Sequence, residues 1–178
     1  MAHKSYLGYK IQFLIDPKIK KISGKLFYIP NDHAFDFEPL QVIDITLVFD
    51  YLQLEFDSDS KLAKQIWGFN PYEGWINKKL TVPQICEGGL LIKNQQDIEF
   101  AIEAPGVGIT IIGHNQWNTY YDKDSGWICF GDFNTSKTDS AVEFANGIVA
   151  VVANNMIKAF WLKPIFEQPV DKFVTRIE

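Results

Sequence analysis

The chain has 178 residues, of which 17 are basic and 22 acidic, so its formal charge is −5. With 47% apolar and 22% charged residues it reads as a single β-rich domain, residues 1–178, with a core of its own. That composition excludes a disordered, collagenous or coiled-coil chain, and no apolar run reaches the roughly 18 residues that a membrane-spanning helix needs.

In chain order, Met1-Ala2-His3-Lys4-Ser5-Tyr6 has neither an apolar core nor a small-residue cleavage site, so it is not read as a secretory signal. The densest basic run, Lys18, Lys20, Lys21 and Lys25, is read as a solvated hairpin with lysines guarding an edge strand rather than as a phosphate-binding edge. Ile43, Ile45, Leu47 and Phe49 lie on alternate residues and predict a half-buried antiparallel strand. From Leu52 the apolar set moves to even numbers, Leu52, Leu54 and Phe56, which requires a bulge or tight bend near Asp50-Tyr51. Ser58-Asp59-Ser60 predicts the cap of a short helix over Lys61 to Trp67, with Leu62, Ile66 and Phe69 on one face and Asn70-Pro71 ending it. A second short helix falls near Val82 to Glu87. Ile98, Phe100 and Ile102 alternate with Glu99 and Glu103 and predict a further strand.

The last sixty residues carry the clearest turns. Trp117–Tyr121 and Trp127–Phe130 form a hairpin through Asp122–Gly126. Asn146-Gly147 joins 141–145 to 148–152 in a two-residue hairpin, pairing Ala145 with Ile148 and Val142 with Val151. Val142, Phe144, Val149 and Val151 then share one face, and the second strand, apolar on both faces, is central. Asn154-Asn155 makes the next tight turn, into Met156–Leu162. The fold class is mainly β: an antiparallel sheet forming a sandwich or partly closed barrel, with one or two short helices.

Among residues that carry chemistry, Cys86 and Cys129 are the only cysteines and both lie among apolar neighbours, which favours reduced thiols in the cytoplasm. No zinc spacing, calcium loop, phosphate-binding glycine loop or nucleophile signature occurs, so no metal, cofactor or catalytic residue is assigned. A hydrolase would have to draw on His114 with Cys129 or Asp132, or on carboxylates such as Glu87, Asp97, Glu99, Glu103, Asp132 and Glu143. Arg176 is the only arginine, and with a net negative charge this speaks against nucleic-acid binding.

The candidate binding residues are Trp117, Tyr120, Tyr121, Asp122 and Trp127, part of an aromatic cluster that continues to Phe130 and Phe133 among amides. Aromatic faces beside amides suit sugar rings or a protein hot spot. Strand alternation places Trp117 and Tyr121 on one face and Tyr120 on the other.

Gly126–Asp132, Ala141–Val151 and Ala159–Pro164, about a third of the chain, resemble the ends of small acidic uncharacterised bacterial proteins, some of which are immunity proteins that neutralise a toxin by binding it. The resemblance implies a non-catalytic binding role and carries over no toxin-contacting residue. The leading expectation is thus a cytoplasmic protein-binding module acting by occlusion, with acidic groups steering a basic partner and Trp or Tyr anchoring it. The alternatives are a small-ligand or carbohydrate-binding β domain and a hydrolase.

Overall fold

The computed structural model describes residues 10–103, 108–168 and 176–177. The first strands are β1 (Phe13–Asp16), β2 (Lys25–Ile29), β3 (Ala34–Glu38), β4 (Ile45–Phe49), β5 (Leu52–Phe56) and β6 (Ala63–Phe69). The short strands β7 (Ile76–Asn77), β8 (Ile85–Glu87) and β9 (Gly89–Ile92) lead to α1 (Gln95–Ile102), the one described α-helix. Then come β10 (Ile109–Ile112), β11 (Thr119–Tyr121), β12 (Ile128–Gly131), β13 (Ser140–Ala145), β14 (Ile148–Ala153), β15 (Met156–Leu162), β16 (Ile165–Phe166) and β17 (Arg176–Ile177).

A seven-stranded sheet has the order β10-β4-β5-β6-β3-β2-β16, and an eight-stranded sheet the order β17-β7-β11-β12-β15-β14-β13-β8. A separate ribbon pairs β1 with β9. Neighbours in the middle of each sheet are antiparallel, whereas β10, β16, β8, β7 and β17 join in parallel toward the edges. Neither sheet closes on itself, so of the two expected architectures the chain adopts the sandwich.

Inward side chains of the seven-stranded sheet, among them Tyr28, Phe35, Leu47, Phe49, Leu54 and Ile66, form one buried cluster with Tyr121, Ile128, Phe130, Phe144, Phe160 and Leu162 of the other sheet. Phe49 meets Phe160 edge to face across the layers at 4.9 Å. Each such burial stabilises the fold by about 1.5–3 kcal/mol. The opposite face of the eight-stranded sheet carries a second cluster, including Tyr120, Cys129, Val149, Val151 and Trp161. Its central strands are therefore covered on both sides, which is why Ile148–Val152 is apolar without alternation. Lys21 pins the edge of this sheet, with Nζ 2.5 Å from Glu143 and 2.7 Å from Glu87. Those two hydrogen bonds, Glu143 first, hold its ammonium above the ordinary lysine range.

Four expectations are corrected. Residues 95–102 are helix, not strand: the face that meets the core is Asp97, Ile98 and Ala101, at helical spacing, and Asp97 accepts the Gln12 backbone N–H. Lys61 to Trp67 is not a helix but leads into and forms β6; Asp57 accepts hydrogen bonds from the Ser60 hydroxyl and backbone and closes a turn there instead. The segment near Val82 to Glu87 is not helical, and its last three residues form β8. In the Asn146-Gly147 hairpin Ala145 pairs with Ile148 as expected, but Val142 pairs with Ala150 rather than Val151. A bulge at Phe144 causes the shift: Phe144 and Ala145 both point inward, so Val142 shares its face with Ile148 and Ala150 while Val149 and Val151 face out.

Candidate binding cleft

The cleft begins at the tight bend between β4 and β5. Phe49 pairs with Leu52, leaving Asp50 and Tyr51 as the two-residue loop. Asp50 takes φ 60, a conformation that short polar residues tolerate better than most, and its N–H donates to the Ile112 carbonyl at 2.8 Å. Tyr51 is thereby left 51% exposed. Gly68 in the neighbouring β6 has φ 131, and a Cβ there would lie 2.4 Å from the Tyr51 carbonyl oxygen. Only glycine lets β6 approach this closely, and the approach brings Phe69, 44% exposed, beside Tyr51.

A row of rings results. His114 stacks on Tyr51 at 4.2 Å, Tyr51 meets Phe69 edge-on at 5.7 Å, Phe69 meets His33 at 6.1 Å, and His33 stacks on Tyr72 at 5.4 Å. Each histidine in the row lies beside a carboxylate. His114 Nδ1 lies 2.9 Å from Asp50 Oδ1, and His33 Nδ1 lies 3.1 Å from Glu73 Oε2. A carboxylate only accepts, so His114 Nδ1 carries the proton in its hydrogen bond to Asp50, whereas His33 Nδ1 lies near Glu73 without a hydrogen bond.

Asn70 makes the floor. Its backbone N–H donates to the His33 carbonyl at 2.7 Å and its carbonyl accepts the Tyr28 hydroxyl at 2.8 Å. Its side-chain oxygen accepts the Trp75 indole N–H at 2.8 Å, and its amide donates to the Thr119 hydroxyl at 3.0 Å. Since Asn70 follows the seven-stranded sheet and Thr119 opens β11 of the other, this network joins the two layers at one end of the sandwich. Above it lies a cleft of about 440 Å³ lined by Asp50, Tyr51, Phe69, Asn70, Pro71, Gly74, Asn115, Trp117, Asn118 and Thr119. None of these is a lysine or arginine, and the lining hydroxyl of Thr119 is tied to Asn70. Among the described residues no group of three His, Cys, Asp or Glu side chains is placed to hold a metal ion.

Of the residues singled out in the sequence, Trp117 lines this cleft. Its inner side packs on Phe49 at 5.7 Å and Phe130 at 5.1 Å. Trp117 and Tyr121 do share the inward face, with Tyr120 on the outward one. Tyr120, Tyr121 and Asp122 are buried, at 7%, 3% and 5% exposure. Trp127 is half-buried, against Trp161 at 6.3 Å. Asp122 organises its own hairpin: Oδ2 accepts the Leu80 N–H at 2.9 Å and Oδ1 the Asp124 and Ser125 N–H groups at 3.0 and 3.3 Å. Burial alone pushes its carboxyl up, but these backbone donors outweigh that and hold it below the usual aspartate range.

The proposed pairing of His114 with Cys129 or Asp132 does not form. His114 engages Asp50, Asp132 lies toward Lys158, and Cys129 is fully buried in the outer cluster, where desolvation pushes its thiol far up. Both cysteines are free. Tyr51 and Phe69 line the cleft, and His33, Tyr72 and Glu73 continue the row of rings beside it, although sequence reading passed over all five as site residues. The one local signal was the bend forced at Asp50-Tyr51, which sets a tyrosine on a turn.

Compared with known proteins, the chain matches no family model and no curated protein. What can be stated of its class is a mainly β fold with antiparallel sheets packed as a sandwich. Among the described residues no helix is long and apolar enough to cross a membrane.

Proposed function

We propose that the chain is a non-enzymatic binding protein whose Asp50 cleft receives a cationic side chain from a basic partner protein. The observation that carries this is the row of aromatic rings, exposed at Tyr51, Phe69 and His114, with a carboxylate beside each of its histidines and no lysine or arginine among the residues lining the cleft. Ring faces attract an ammonium or guanidinium by about 0.5–2 kcal/mol, depending on desolvation. The two carboxylates and the net charge of −5 favour the encounter with a positive surface. The hydrogen-bonded floor supports the rings in place before binding, which lowers the ordering entropy of association.

Nuclear magnetic resonance titration with N-acetyl-lysine amide tests this, with the neutral isostere N-acetyl-norleucine amide and glucose as parallel probes. Saturable shifts of Tyr51, Phe69 and the Trp117 indole are expected with the lysine compound alone, and should be lost in Asp50→Asn and Tyr51→Ala. Asparagine tolerates the φ of position 50, so the first variant removes charge without backbone strain. Equal shifts with norleucine amide, or none with any probe, overturn the reading. Shifts with glucose alone favour the carbohydrate reading, to which the amides of Asn115 and Asn118 beside Trp117 lend support.

A further inference from the structure

The exposed rings continue beyond the cleft. Gly68 pairs with the inward residues Phe35 and Leu52, so the flanking Trp67 and Phe69 stand on the outward face of the seven-stranded sheet. β6 is the fourth of the seven strands, yet Trp67 is 42% exposed. Two residues earlier on the same face Gln65 is buried. Its amide donates to Glu55 at 2.7 Å and its side-chain oxygen accepts the Gln41 N–H at 3.1 Å. The connection between β3 and β4 therefore covers the far half of this face and leaves the half next to the cleft open.

Of the side chains that share the open half through the strand pairings, Gln53, Val48, Ala34 and Asp36, only Asp36 is charged. Continuing the Phe35–Gly68 pairing by one residue places Asp36 opposite Trp67. One of its oxygens accepts the Phe37 N–H at 2.9 Å. An exposed ring with a carboxylate at the neighbouring position thus occurs twice on one continuous surface, as Tyr51 with Asp50 and as Trp67 with Asp36. An extended chain sets side chains i and i+2 on one side about 6.5–7 Å apart, which is also the step from Phe69 to Trp67 along β6. We propose, resting on the reading of the Asp50 cleft as a receptor for a cationic side chain, that the partner presents an extended segment with cationic side chains two residues apart. One enters the cleft beside Phe69, and the next lies on the Trp67 indole beside Asp36. Indole is the ring that attracts a cation most strongly.

The test titrates the full chain with two peptides of equal composition and charge, N-acetyl-Lys-Thr-Lys amide and N-acetyl-Lys-Lys-Thr amide, following backbone and indole N–H shifts. In an extended chain the second lysine of the latter points to the opposite side. The Lys-Thr-Lys peptide should bind about fivefold more tightly and shift the Trp67 indole. Trp67→Thr keeps strand propensity at an exposed position, and should remove the preference while Tyr51 still shifts with both peptides. Asp36→Asn should reduce the preference. Equal binding of the two peptides by the natural chain, or a preference that survives Trp67→Thr, overturns the proposal. A Trp67 shift that depends on protein concentration without peptide marks a second copy of the chain on this face and overturns it as well. If N-acetyl-lysine amide fails to shift Tyr51, the reading of the cleft falls and takes this extension with it. If that amide binds and the two peptides do not differ, the extension alone falls.

Discussion

Replacing Asn70 by alanine removes the side chain through which the two sheets are joined at the cleft floor. The Trp75 indole N–H, on a residue with 0% exposure, loses its acceptor at 2.8 Å. A buried donor left without a partner costs about 1–3 kcal/mol. The Thr119 hydroxyl, on a residue 7% exposed, loses its partner at 3.0 Å, a further ~1 kcal/mol. Together these give roughly 2–4 kcal/mol, which with a urea m-value of about 2 kcal/mol/M lowers the unfolding midpoint by roughly 1–2 M. Urea denaturation followed by tryptophan fluorescence measures this. A double-mutant cycle with Trp75→Phe isolates the indole bond, because phenylalanine has no N–H to orphan. The pair should couple by about 1–2 kcal/mol, the double variant being less destabilised than the sum of the singles. If the two costs add to within about 0.5 kcal/mol, the bond does not join the layers energetically and the reasoning fails.

Trp161 is also fully buried, but its indole N–H has no hydrogen-bond partner, so Trp75→Phe should cost about 1 kcal/mol more than Trp161→Phe in parallel urea melts. Asp122→Ala strips the acceptor from three backbone N–H groups and should destabilise by about 3 kcal/mol in thermal unfolding, with Asp122→Asn recovering part. The carboxyls of Asp122, Asp139 and Asp57 are all held below the usual range: Asp122 by backbone donors that outweigh its burial, Asp139 by the Lys158 hydrogen bond, and Asp57 by the Ser60 hydroxyl. Their stabilisation is fully present above the unfolded aspartate pKa of about 3.9 and is lost as pH falls through the lower folded values. The urea midpoint should therefore show no pH dependence from these groups between neutrality and about pH 5, and a fall below about pH 4 that is smaller in Asp122→Asn.

The turns were the legible part of this fold. Asn146-Gly147, Asn154-Asn155 and the parity change at Asp50-Tyr51 each demand a local backbone geometry that few residues accept, and each marks a hairpin. What local pattern cannot display is an inserted residue or a distant partner. The Phe144 bulge adds a residue to an otherwise regular alternation, and residues 95–102 satisfy period two in Ile98, Phe100 and Ile102 as well as helical spacing in Asp97, Ile98 and Ala101. Burial against a surface remote in sequence decides between them. The row of rings beside the cleft was hidden for the same reason: His33, Tyr51, Tyr72 and His114 come from four separate connections that meet only at the end of the sandwich. The cluster from Trp117 to Phe133 straddles β11, so Trp117 lines the Asp50 cleft, Phe133 lies on the outer face of the eight-stranded sheet, and Tyr120, Tyr121 and Asp122 between them are buried.

The strand order also sets a timetable for synthesis. The consecutive antiparallel core β2, β3, β6, β5 and β4 is complete by Phe69, whereas β12, β13, β14 and β15 span 128–162. A ribosome therefore releases one layer, with its apolar face carrying Tyr28, Phe35, Leu47 and Leu54, well before the layer that covers it. At about 5–20 residues per second the interval between Phe69 and Leu162 is roughly 5–20 seconds. During that time the nascent sheet is bare on one side, which makes the half-made chain, rather than the finished one, the species most exposed to aggregation and most in need of a chaperone.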